Sequence, residues 1–217
     1  MATLRTIRLR IKGTKNIKQI TRAMEAVSAV KMRKSQGVAL AARPYATAAL
    51  HLLKNLTRSD LVKIHPLLEP REVRNTMLVV VTSDKGLAGP FNANVLKKAE
   101  QFTRTVTGTV TLATVGKKAG DYFTRRGRTP IVALMGYGDY AEISEVQPIF
   151  EAVVEAFTSK KADEVYIIYT NFLSAMKQEV VVRKLLPFSE EGLEEMVKGI
   201  VPEKGRFSEF SVEARLP

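Results

Sequence analysis

The residues of this chain best suited to chemistry lie in one stretch, Thr82-Ser83-Asp84-Lys85-Gly86-Leu87-Ala88-Gly89-Pro90-Phe91-Asn92. It follows the short apolar run Met77 to Val81 and precedes Val95, Ala99, Phe102 and Val106 at helical spacing. A loop that leaves a buried strand and enters a helix is where open α/β sheets bind ligands. Two chemistries are conceivable there: phosphate binding on a glycine loop, and nucleophilic attack by Ser83 or Asp84. A phosphate loop needs Lys directly after its last Gly and before Ser or Thr, whereas Lys85 precedes Gly86. Gly86 and Gly89 do not complete a Gly-x-Gly-x-x-Gly run either. A catalytic Ser83 or Asp84 would need a base within hydrogen-bond reach. The two histidines, His51 and His65, fall in other segments. The loop is therefore read as a tight turn with Asn92 near a helix start. No catalytic residue, cofactor or metal ligand is assigned. The chain has no cysteine, which excludes disulfides, thiolate metal sites and thiol redox control.

The second feature is electrostatic. Between Met1 and Arg58 stand thirteen cations: Arg5, Arg8, Arg10, Lys12, Lys15, Lys18, Arg22, Lys31, Arg33, Lys34, Arg43, Lys54 and Arg58. Glu25 is their single acid, so this stretch carries +12, the net charge of the whole chain. The remaining residues are balanced. Such an element meets something acidic.

The element that carries these charges reads as one long helix. Ile17, Ile20, Met24 and Val27 step by three, four and three, and the frame continues through Lys31 and Lys34 to Val38, Ala41, Tyr45, Ala48 and Leu52. Leu4, Ile7, Ile11 and Thr14 follow the same rule one residue out of frame, which a stutter near Thr14 to Ile17 would reconcile. This is a heptad-like seam of the kind that packs helix on helix. Gly13 and Gly37 each weaken it by about 1 kcal/mol relative to alanine, and Pro44 should kink it. If helical throughout, it would run roughly 80 to 87 Å at 1.5 Å per residue. A helix with one narrow seam needs a partner to be stable, and no second run of this kind follows.

Three readings of the basic stretch compete. A bland solvated face would interleave acids for i, i+4 support, and this one does not. Nucleic-acid binding suits the cations, but the apolar seam asks for another helix. A membrane-surface helix would need a wide, bulky apolar face, and this seam is narrow and rich in alanine. A long basic coiled coil on an acidic protein surface fits best, with a basic-helix adaptor for nucleic acid as the alternative.

Beyond it, alternating strands and helices with short connections predict a Rossmann-like, mostly parallel α/β sheet with helices on both faces. The expected strands are Met77 to Val81, Val110 to Val115, Ile131 to Met135, Val165 to Tyr169, and Glu179 to Leu186 at an edge. The expected helices follow Asn92, run from Lys117 to Arg126, and bury Ile143, Val146, Phe150, Val153 and Phe157. A short acidic helix is expected between Glu190 and Ile200. The domain expectation is therefore a basic helix at 1–58, a linker at 59–75, an α/β domain at 76–187 and an extension at 188–217. No apolar run reaches the 18 to 20 residues needed to span a bilayer, and the N-terminus has no hydrophobic segment of the signal-peptide type, so a soluble, peripheral protein is expected.

Two motifs in order carry a family resemblance. Ile7-Arg8, Ile11, Asn16 and Ile20-Thr21-Arg22-Ala23-Met24-Glu25 through Lys31-Met32-Arg33-Lys34-Ser35-Gln36, with Arg43-Pro44-Tyr45-Ala46, resemble the N-terminal helix of the gamma subunit of F-type ATP synthases. The loop Thr82 to Asn92 resembles that family's other signature, and weaker matches lie at Gly116-Lys117-Lys118 and from Tyr166 to Pro187. The resemblance implies a rotor shaft without bond chemistry or cofactor of its own. In the family this helix pairs with a C-terminal helix inside a ring of alpha and beta subunits. Proton flow through a membrane c ring turns the shaft and drives the beta sites through their states. The resemblance further implies that Arg22, Ala23, Met24 and Glu25 face the beta-subunit lever region, whose acidic surface meets Lys31, Arg33 and Lys34. Phe210 and Glu213 match the foot that touches the c ring and the epsilon subunit, although Val212 stands where an aromatic residue is common. Ala88 replaces a common cysteine, and the cysteine pair of light-regulated members is missing. By the same resemblance the chain is expected to be a fragment lacking the C-terminal helix, on the cytoplasmic face of a bacterial membrane without inserting into it.

Overall fold

The computed structural model describes residues 3–57, 65–138, 143–174, 177–189, 192, 193 and 195. It divides into two compact units, Met1–Ala42 and Arg43–Pro217. Helix α1, Leu4–Thr57, is continuous for 54 residues and contains Pro44. The first unit is helical throughout its described part. Thr3 caps it, accepting from the Thr6 amide at 3.4 Å through its hydroxyl and from the Ile7 amide at 3.1 Å through its carbonyl. Thr14 and Thr21 turn their hydroxyls back onto the carbonyls of Arg10 and Ile17, which lets polar residues sit inside a helix. The seam is open to solvent along its length, with Ile17 at 62%, Ile20 at 60% and Val27 at 56% exposed.

In the second unit, Thr47 is the buried residue among the described side chains of α1. A single 3-10 turn, Pro66–Leu68, starts on His65, whose Nδ1 accepts from the Leu67 amide. The sheet has five strands: β1 Asn75–Val81, β2 Thr109–Val115, β3 Val132–Leu134, β4 Glu164–Phe172 and β5 Gln178–Leu186. Their spatial order is β3-β2-β1-β4-β5. The first three pairings are parallel, with Leu78 between Leu112 and Tyr166, and β5 runs antiparallel to β4 at the edge. The expected class is what the chain adopts: a long N-terminal helix and a mostly parallel α/β sheet.

Central β1 is buried along Thr76 to Val80, and its alternate residues feed two cores. Leu78 and Val80 face α2 (Phe91–Thr105) and α3 (Lys117–Thr124), packing with Val95, Ala99, Ala119, Phe123 and Ile168. Met77 and Val79 face the other way, toward Val153, Ala156 and Phe157 of α4 (Ile143–Thr158). Helices on both faces explain why β1 reads as an uninterrupted apolar run. Gly108 is required where β2 begins: its φ is 95°, and a Cβ there would sit 2.0 Å from the Arg74 carbonyl oxygen.

Two expectations need adjustment. The buried stripe of α4 uses Val153, Ala156 and Phe157, with Ile149 partly buried, whereas Val146 and Phe150 stand 39% and 65% exposed. The apolar residues of α4 cover more than one face, so spacing alone did not select the inward set. Residues 65–74, within the stretch read as a linker, are tied to the α/β fold. Leu67 packs on the α4 core, and its carbonyl accepts from the Phe188 amide at 3.0 Å. Arg71 donates to the Phe157 carbonyl at 2.7 Å and lies over its ring. Of the short helix expected between Glu190 and Ile200, Gly192, Leu193 and Glu195 are described and helical, with Leu193 buried; the rest lies outside the described residues.

Candidate functional site

At the C-terminal edge of the sheet, the loop after β1 binds itself to β2 and β3. Thr82 is buried; its amide donates to the Val115 carbonyl at 2.8 Å, and its hydroxyl accepts from the Ala119 amide at 2.9 Å. Gly116 passes so close that an added Cβ would lie 2.3 Å from the Thr82 carbonyl oxygen, with φ at 89°. Ser83 donates its hydroxyl to the Lys85 carbonyl at 2.7 Å; Asn92 donates Nδ2 to the Ser83 hydroxyl at 2.9 Å and accepts from the Ser83 amide on Oδ1 at 3.0 Å. Neither partner of the Ser83 hydroxyl is a base. Asn92 therefore locks the turn, in keeping with the tight-turn reading.

Asp84 does most of the joining. One carboxylate oxygen accepts from the Lys117 amide at 2.7 Å, and the other from the Gly136 amide at 2.9 Å. Lys117 is the first residue of α3, whose N-cap Gly116 has no side chain to offer. The carboxylate thus occupies the positive helix pole of α3. Tyr137 closes the arrangement by donating its hydroxyl to the Thr82 carbonyl at 3.1 Å; burial and then the charge of Asp84 push its pKa up. These contacts make a clamp between strands. The sequence held one signal for it: a helix opening Gly116-Lys117-Lys118, with no cap and two cations at its positive pole, must borrow an anion from elsewhere. Leu87, at the loop's tip, is 94% exposed with φ at 61°, a conformation that leucine adopts at some cost.

The expected partner-binding residues lie on α1 in the first unit. Arg22, Ala23, Met24, Glu25, Lys31, Arg33 and Lys34 are all exposed. At about 100° per residue, Arg22 and Arg33 fall within about 20° of one another. Met24 and Lys31 are equally close on the nearly opposite side. The cations therefore surround the helix instead of forming one stripe. Phe210 and Glu213 lie outside the described residues. Among the described residues, no helix is long and apolar enough to cross a membrane.

The family model described as ATP synthase matches residues 3–215. The ATP synthase gamma chain of Pelotomaculum thermopropionicum is 40% identical over 86% of this chain and 66% of its own length. That of Chloroflexus aurantiacus is 37% identical over 93% of this chain and 77% of its own. The chain thus spans about two thirds of the length of the first of these relatives. Among solved structures, the rotor of Euglena gracilis mitochondrial ATP synthase has the same fold, with a TM-score of 0.52 at 19% identity over 88% of this chain and 65% of that one. With the family model matching nearly the whole chain and gamma chains at 37% and 40% identity over most of it, the chain is a member of the ATP synthase gamma-chain family.

Proposed function

We propose that this chain serves as the central rotor shaft of an F-type ATP synthase. In this reading it couples proton flow through a c ring to ATP synthesis on beta subunits and carries out no bond chemistry itself. The shaft half is 1–58, a connector follows it as far as the residues from 65 onward that pack on the sheet, the α/β domain extends to 187, and 188–217 leads to the foot, where Phe210 and Glu213 meet the c ring and the epsilon subunit. The alpha and beta subunits surround the helix, and the complex sits on the cytoplasmic face of a bacterial membrane. The observation that carries this reading is α1 itself: thirteen cations and one acid stand between Met1 and Arg58, around a seam open to a partner helix. An encircling charge suits a ring-shaped acidic collar better than the one-sided track of a nucleic acid. Exposed ion pairs are weak and screened, so cations at Lys31, Arg33 and Lys34 can act as a bearing without locking rotation.

The test is coupled ATP synthesis by the assembled complex carrying Lys31→Ala, Arg33→Ala and Lys34→Ala together. We expect a several-fold loss at unchanged assembly; unchanged synthesis sinks the bearing role. Salt-dependent binding to duplex DNA, without alpha and beta subunits co-purifying, would favour the nucleic-acid adaptor instead.

A further inference from the structure

A groove of about 590 Å³ lies between α2 and α3, away from the clamp at the sheet edge. Lys97, Arg104 and Arg126 supply three cations to it, and Glu100 one acid. Ala93, Leu96 and Tyr122 line it as well, with Leu96 mostly buried in the core. Arg126 is held in place: its guanidinium lies 3.6 Å from the centre of the Tyr122 ring and donates to the Tyr122 carbonyl at 3.3 Å. Lys97, Glu100 and Arg104 make no ion pair among the described residues, although they share one face of α2. The balanced charge of the chain beyond Arg58 thus hides a local excess of cations at this groove.

We propose that this groove docks an acidic amphipathic helix of another protein. Lys97 and Arg104 are two turns apart, about 10 Å along the axis, and carboxylates seven residues apart on a partner helix have the same spacing. Arg126, already oriented, takes a carboxylate side-on, the geometry guanidinium favours. One leucine-sized side chain between the carboxylates packs against Ala93 and the edge of the groove beside Tyr122. Glu100, between Lys97 and Arg104, leaves room for carboxylates only at the two ends of this face, a spacing that an i, i+7 pair meets and a continuous phosphate backbone does not. The inference is independent of the rotor reading, because it rests on α2 and α3 alone.

The chain has no tryptophan, so Ala93→Trp places a single reporter in the groove wall. The probe is a 14-residue helical peptide with Glu at positions i and i+7 and Leu between them on one face. It is titrated into the full chain. We expect a saturable blue shift of tryptophan emission that weakens with salt. Adding Lys97→Gln and Arg126→Gln should raise Kd at least about 10-fold at unchanged circular dichroism, with Arg126→Lys falling between. An unchanged emission, or a Kd indifferent to these substitutions, overturns the proposal. So does a 12-base-pair DNA duplex that binds as tightly as the peptide, which would make the groove a phosphate site.

Discussion

Asp84 joins the loop after β1 to the first residue of α3 and to the loop after β3, so its removal leaves two backbone donors without their partner. Asp84→Ala is expected to cost about 1 kcal/mol in urea unfolding, below the about 1.5–3 kcal/mol of a bond to a charged group, because both bonds are exposed and water replaces the lost acceptor. Gly116→Ala should cost at least as much, since the new Cβ meets backbone and not a movable side chain. Asp163 is a second such acid, buried at the start of β4 and accepting from the amides of Arg74 at 2.9 Å and Asn75 at 2.8 Å. The Arg74 amide, above all, holds its pKa below the ordinary carboxylate value; burial opposes this, while the Asn75 amide and the charges of Arg71 and Arg74 reinforce it. A depressed folded pKa contributes stability that is complete above about pH 4 and lost as pH falls through the folded value. Asp163→Asn should therefore destabilise by about 1–2 kcal/mol at pH 7, and the deficit should shrink on acidification below pH 4. Unfolding midpoints of both chains across that range decide the matter.

At the scale of elements, α4 separates pattern from packing. Its apolar residues are numerous enough to offer more than one face, and the sheet selects the one bearing Val153, Ala156 and Phe157. Phe157→Ala should cost about 3–5 kcal/mol, because a fully buried ring leaves a cavity between α4 and β1. Phe150→Ala, at a position 65% exposed, should stay within about 0.5 kcal/mol. Equal losses in denaturant unfolding would show that the inward face has been misassigned. The clamp loop belongs to this scale as well. The motif Thr82 to Asn92 was legible as a turn, and Asn92 does lock it. The partners at Gly116, Lys117, Gly136 and Tyr137 lie 33 to 55 residues further along the chain than the loop residues they meet, and only the uncapped start of α3 left a trace in the sequence.

At the scale of the whole molecule, charge is the organising quantity. All the net charge lies between Met1 and Arg58, so in the proposed rotor its association with an acidic collar should be steered electrostatically and screened by salt. The association rate with an alpha–beta ring is expected to fall about 10-fold or more between 50 and 500 mM salt. The Lys31, Arg33 and Lys34 triple alanine chain should show a shallower slope in stopped-flow mixing. Sequence alone determined the long helix, the charge partition, the α/β class and the family motifs, because charge, helical period and strand runs are local properties of neighbouring residues. Tertiary structure alone decided the clamp around Asp84, the inward face of α4, the packing of residues 65–74 and the groove at Arg126. Each of these depends on groups far apart in the chain meeting within a few ångströms, and local periodicity carries no information about that distance.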